Sequence, residues 1–194
     1  LKTFNNIEKI YGVEIQEKYI WEAKFNILDF FLNHPDRIKP EIQIVHSSIF
    51  DFDYRSIKNN VKEKELLIIG NPPWVTNSAL SAMDSKNLPK KSNFKRQKGL
   101  DAMTGKGNFD IAEYITIDLL QNFGRCKGNM AFLVKNTVIK NIVHDLPKLQ
   151  LSIAELKKQN IDSKKEFNVS VDASLFSCQL NKTTEFSCLE SDFY

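Results

Sequence analysis

Leu66-Leu67-Ile68-Ile69 is a continuous apolar run, and Gly70-Asn71-Pro72-Pro73 follows it at once. Successive side chains of a strand point to opposite faces, so a strand over Glu65–Ile69 belongs where both faces are covered. Two consecutive prolines fix φ and remove two backbone donors, which ends the strand at that point. A strand of this type is expected inside a parallel sheet with helices packed on its faces.

The flanking sequence has the alternation such a sheet needs. Ile7–Ile15 (IEKIYGVEI) reads as a short strand rich in β-branched residues. From Gln16 the period changes: Trp21, Phe25, Leu28 and Leu32 recur at helical spacing beside Ile20, Ala23, Ile27 and Phe30. This predicts a broadly buried helix, stopped near Asn33-His34-Pro35. Glu41–Val45 (EIQIV) is a second strand, which makes Glu65–Ile69 the third. Residues 75–107 lose all periodicity and form a long loop, a length that is unusual inside a compact domain. Asn108 then caps a helix carrying Ile111, Ile115 and Leu119. Asn129–Val134 is an apolar strand, Val138–Leu146 a helix, Ser152–Gln159 a candidate helix, and Val169–Cys178 an alternating strand. The order predicts an α/β layer fold: a mostly parallel sheet flanked by helices. Residues 1–180 are expected to form one domain with the basic loop 75–107 inserted, and 181–194 a tail or the start of a following segment.

Composition bounds what such a chain can do. At 194 residues, 42% hydrophobic and 26% charged, it is sized and composed like one soluble domain. No apolar run reaches the length of a membrane span, and no secretory leader is present, so a cytoplasmic, reduced protein is expected. Cys126, Cys178 and Cys188 match neither a zinc module nor a disulfide framework, and no metal site is expected at them or at His46; His34 and His144 fall at helix ends and are expected to be exposed. The net charge of +3 is unremarkable, but its distribution is not. Lys86, Lys90, Lys91, Lys95, Arg96 and Lys98 follow one another with no acidic residue between them.

In open α/β sheets ligands bind at the carboxyl ends of the strands. Here those ends carry Glu14, Ser47-Ser48 and Asn71-Pro72-Pro73-Trp74. The Asn71 carboxamide oxygen and the Pro72 carbonyl can each accept one hydrogen of an amine, and Trp74 offers a flat face for stacking on a ring. Together they suit a planar ligand bearing an NH2 group.

Asn-Pro-Pro-aromatic after a buried strand resembles the catalytic motif of the S-adenosylmethionine-dependent amino-methyltransferases, chiefly the adenine-N6 DNA methyltransferases of restriction-modification systems. The resemblance implies that Asn71 and Pro72 hold the target N6, that Trp74 stacks on the flipped base, and that Pro73 is a rigid support. Tyr11-Gly12-Val13-Glu14-Ile15 is similar to the family's second cofactor motif, which gives Glu14 the ribose hydroxyls of S-adenosylmethionine. Val45-His46-Ser47-Ser48-Ile49-Phe50 falls where that family usually has an Asp followed by an apolar residue; Ser48 stands in the Asp position, and Ile49 and Phe50 would line the adenine pocket. Gly107-Asn108-Phe109-Asp110 resembles the motif whose aromatic residue touches the cofactor, here Phe109. Phe167 in FNVSVDA resembles the late aromatic residue against the flipped adenine. The basic residues Lys90, Lys91, Lys95, Arg96 and Lys98 would then grip DNA phosphates.

The resemblance covers about residues 7–180, with cofactor motifs before the catalytic one, the order of the γ-type enzymes. The family's first motif, a glycine-rich strand and turn, should precede residue 7 and is absent; Gly105-Lys106-Gly107 has no strand leading into it. The chain also begins at Leu1 without Met, so a piece of a longer protein is expected, with little activity by itself, and with any specificity domain or restriction subunit lying outside it. Two alternatives remain open on these residues. Protein-glutamine and ribosomal-RNA methyltransferases share Asn-Pro-Pro-aromatic, and a degenerate, non-catalytic DNA-binding domain would tolerate Ser48 and the missing motif.

Overall fold

A computed structural model describes residues 6–61, 64–76 and 110–193. The chain divides into two compact units after Asp53.

The first unit is a strand–helix–strand crossover: β1 (Lys9–Glu14), α1 (Glu17–Asn33) and β2 (Glu41–His46). The strands pair in parallel, with Lys9 opposite Glu41 and Glu14 opposite His46. The predicted helix is present but buried on one side only. Ile20, Ala23, Ile27 and Phe30 turn inward, whereas Trp21, Phe25, Leu28 and Leu32 are 52%, 63%, 54% and 70% exposed. Both sets recur at helical spacing, so periodicity alone could not choose between them, and two strands cover only the narrower one. His34, expected to be exposed, is half-buried: its ring stacks on Phe30 at 4.5 Å, and Nδ1 lies 2.8 Å from the Phe30 carbonyl oxygen.

The second unit contains α2 (Arg55–Asn60), β3 (Leu66–Gly70), α3 (Ile111–Phe123), β4 (Gly128–Lys135), α4 (Asn136–Leu149), β5 (Ile153–Ile161), α5 (Ser163–Phe167), β6 (Ala173–Leu180) and β7 (Cys188–Asp192). Its five strands are ordered β3-β4-β6-β5-β7. Pairing is parallel for β3–β4 and β5–β7, and antiparallel on both sides of β6. Only β6 therefore runs against the others, and the mostly parallel α/β fold expected from sequence is the fold observed.

The core of this unit lies between the sheet and α3 and α4. Ile111, Ile115 and Leu119 are buried as their spacing predicts, together with Ile117, Leu120 and Phe123. From α4, Val138, Ile139, Ile142, Leu146 and Leu149 join them. The cap of α3 is Asp110 rather than Asn108, which lies outside the described residues; the Asp110 carboxylate accepts from Ala112 N at 3.0 Å.

Three further expectations are corrected. Ser152–Gln159 is not helical: its Ala, Glu, Leu and Lys favour a helix locally, but β6 and β7 both pair with this stretch as β5. A register shift between Ala154 and Lys157 accommodates Glu155 at φ 49°, and the Glu155 N–H donates to the Glu185 carboxylate at 2.9 Å. The strand drawn from Val169 starts only at Ala173, after α5 and a left-handed Asn168 at φ 55°. β3 is not covered on both faces among the described residues, since Leu67 and Ile69 are 49% and 72% exposed on the end strand of its sheet. Cys188–Asp192, within the stretch expected as a tail or the start of a following segment, forms β7 beside β5.

Candidate active site

β3 delivers Asn71 directly to the carboxyl edge of the second unit's sheet. At Gly70 the Phe132 ring comes so close that a Cβ would lie 2.8 Å from it. Asn71 is exposed, Pro72 buried, Pro73 exposed and Trp74 half-buried. With two prolines the turn has few donors of its own, and other elements hold it. The Trp74 indole N–H donates to the Leu133 carbonyl on β4 at 3.2 Å. The Ile111 N–H donates to the Val75 carbonyl at 2.9 Å, and Thr76 bridges Asp110. Lys135, at the end of β4, forms an ion pair with Asp110 and reaches the Trp74 carbonyl at 3.5 Å.

Phe167, at the end of α5, meets Trp74 edge to face, with ring centroids 6.2 Å apart and planes at 85°. The two aromatic residues singled out in the sequence for a planar ligand are thus neighbours, and Phe167 is 45% exposed. Asp110, Leu133 and Lys135 were not singled out. A lysine closing the apolar strand NMAFLV was the available signal, but a strand-end lysine ordinarily points into water.

In the first unit Glu14 ends β1 half-buried, one carboxylate oxygen accepting from Gln16 N at 2.7 Å. Ser47 N donates to the Glu14 carbonyl at 3.0 Å, which sets the end of β2 beside it. Ser48 Oγ accepts from Phe50 N at 3.2 Å, closing a tight turn that leaves Ile49 and Phe50 half-buried. His46 is exposed, its Nε2 2.9 Å from the Ile15 carbonyl oxygen. Among the described residues, no cluster of three His, Cys, Asp or Glu is placed to hold a metal. Phe109 and the basic residues Lys90, Lys91, Lys95, Arg96 and Lys98 lie outside the described residues.

Over 179 residues, 92% of this chain, the sequence is 39% identical to the type II methyltransferase M.NspV from a Nostoc strain. The chain is thus similar to a segment of a type II methyltransferase. It spans only 36% of the length of that relative. No protein-family model matches. Among solved structures, similarity extends to a protein assigned as a class I S-adenosylmethionine-dependent methyltransferase from Listeria monocytogenes, at a TM-score of 0.50 and 12% identity over 95% of this chain and 49% of that one. A protein assigned as the modification subunit of a type I restriction enzyme from Vibrio vulnificus matches at 0.50 and 14%, over 91% and 33% of the two chains. The type IIL restriction-modification enzyme MmeI, solved with DNA, matches at 0.52 and 15%, over 92% and 25%. At such identities these structures bear on the fold alone, which is the Rossmann-like fold of class I methyltransferases. No helix among the described residues is long and apolar enough to cross a membrane.

Proposed function

We propose that this chain is the catalytic segment of a DNA methyltransferase that modifies the N6 amine of adenine, within a restriction-modification system. The observation that carries the reading is the Asn71–Trp74 turn at the carboxyl end of β3, with its tryptophan held by Leu133 and set edge-on against Phe167. Exposed Asn71 and the Pro72 carbonyl are a pair of acceptors for one amine, and Trp74 with Phe167 supplies the aromatic surroundings of a planar base.

The donor set in the first unit fits S-adenosylmethionine. A half-buried carboxylate on a parallel strand end suits two ribose hydroxyls, and a serine turn with Ile49 and Phe50 suits an adenine edge. Phe109 is the further candidate for contact with the cofactor. When bound, S-adenosylmethionine supplies a methyl group on a positively charged sulfur. Every other task falls to the chain and its substrate. The amine lone pair of adenine is delocalised into the ring; accepting both hydrogens on Asn71 Oδ1 and the Pro72 carbonyl draws the nitrogen toward tetrahedral geometry and localises that pair. The remaining rate gain is alignment. Reaching N6 requires the base to leave the duplex stack, and aromatic stacking of about 1–3 kcal/mol offsets part of that cost. Lys90, Lys91, Lys95, Arg96 and Lys98 follow the motif closely in sequence and would neutralise phosphates beside the flipped base.

The test uses the full-length protein carrying Asn71→Ala. Methyl transfer to adenine should fall by about 10²–10³-fold, the cost of removing one preorganised polar group at a reacting centre, while DNA affinity stays close to wild type. Retained turnover would overturn the mechanism. Methylation of a protein glutamine or an RNA guanine in place of duplex adenine would overturn the substrate.

A further inference from the structure

The Asn71–Trp74 turn cannot hold itself, since Pro72 and Pro73 have no N–H to give. What meets it instead is an ion pair. Lys135 Nζ and the Asp110 carboxylate are paired with side chains only 19% and 10% exposed. Asp110 divides its two oxygens: Oδ1 caps α3 through Ala112 N, and Oδ2 takes Lys135. Its backbone bridges Thr76, and the neighbouring Ile111 N–H binds the Val75 carbonyl. Lys135 in turn reaches the Trp74 carbonyl at 3.5 Å, and two residues earlier on β4 the Leu133 carbonyl receives the Trp74 indole. The end of β4, the start of α3 and the residues after the prolines are therefore tied at one point. A mostly buried ion pair recovers little net stability once desolvation is counted, so stability is a weak account of its presence. Fixed geometry is the stronger one.

We propose that the Lys135–Asp110 ion pair is a positioning device: it sets where the Asn71–Trp74 turn holds the target amine, without touching substrate itself. The inference rests on the function proposed above for that turn. Loss of the clamp moves the two acceptors off the line of attack, and displacements of this kind are costly. A misplacement of about 1 Å removes on the order of 10²-fold in rate.

The experiment takes the full-length protein through Lys135→Met, which keeps the apolar stem, Asp110→Asn, which keeps an equally good helix cap, the double variant, and Lys135→Arg. Single-turnover transfer of labelled methyl to DNA should fall about 10- to 100-fold in each uncharged single variant, with cofactor and DNA dissociation constants nearly unchanged. The double variant should be no slower than the slower single one, because both remove the same pair, and Lys135→Arg should recover most of the rate. A second arm needs no turnover: acrylamide quenching of the Trp74 emission, taken as the difference from Trp74→Phe, should rise in Lys135→Met. A wild-type rate in Lys135→Met, additive losses in the double variant, or unchanged Trp74 quenching would each overturn the clamp. If the wild-type enzyme methylates no DNA, the proposed reaction falls, and the fluorescence arm still decides the clamp.

Discussion

Asp118 sits on α3 with the Tyr54 hydroxyl hydrogen-bonded to it and the Lys58 ammonium nearby; Lys58 itself donates to Asn122 at 2.7 Å. Burial is the largest influence and pushes the Asp118 carboxyl above its ordinary value, while the Tyr54 hydrogen bond and the Lys58 charge pull it back. Burial also drives the Tyr54 phenol upward. A carboxyl whose pKa is raised by folding favours the folded state when protonated. Its contribution is present below the unfolded pKa and is lost as pH rises through the folded one. At neutral pH the charged form therefore costs stability. Asp118→Asn, which imitates the protonated carboxyl, should unfold at a higher temperature than wild type at pH 7, and the gap should close as both are titrated toward pH 4. Denaturation scans at the two pH values decide it, and an equal gap at both would sink the assignment. None of this was legible in the sequence, where Asp118 looks like an ordinary polar position on an amphipathic helix and Tyr54 lies 64 residues from it. Asn71, Pro72 and Trp74, by contrast, stood out because two prolines after an apolar run have few other uses.

At the scale of elements, what the sequence revealed depended on whether local pattern and tertiary context agreed. They agreed for α3, where helix periodicity coincided with the side that became buried, and β1, β2 and β4 formed where short apolar, β-branched stretches marked them. In α1 the element was right but its burial is one-sided, since two strands cover only one of its two apolar stripes. β5 was lost altogether: SIAELKKQ carries helix formers, and only the chance to pair with two neighbours makes it a strand. Long-range pairing of that kind leaves little mark on a single segment. The start of β4 makes the same point in the opposite sense. Gly128 adopts φ +145°, and a Cβ there would lie 1.9 Å from the Leu66 carbonyl oxygen, the residue it faces in register on β3. Gly128→Ala must either break that pairing or strain both strands, so a loss of about 1–3 kcal/mol is expected. Chemical denaturation measures it. Because β3 carries the candidate catalytic turn, this substitution should also slow methyl transfer, although Gly128 lies at the opposite end of the strand pair.

Across the whole molecule, burial is divided unequally. In the second unit Ile111, Ile117, Met130, Val134, Val138, Ile142, Ile153 and Phe176 are all 0% exposed. In the first unit only Ile20, at 5%, and Pro40 are buried among the described residues, and α1 leaves a row of large apolar groups in solvent. Local opening free energies follow buried apolar contact, so the two units should not open together. Native-state hydrogen exchange should find the slowest amides in β4, β6 and α3, with β1, α1 and β2 exchanging markedly faster. The function proposed for Glu14 and Ser48 adds a second expectation. A ligand that binds only the folded unit stabilises it by mass action, by about 2.7 kcal/mol at a concentration 100 times its dissociation constant. S-adenosylmethionine should therefore slow exchange around residues 14–16 and 47–50 before it affects β6. Equal protection in both units without ligand would contradict the burial argument. Protection that rose only in the second unit on adding the cofactor would instead contradict the roles given to Glu14 and Ser48, leaving the catalytic turn to be judged by Asn71→Ala alone.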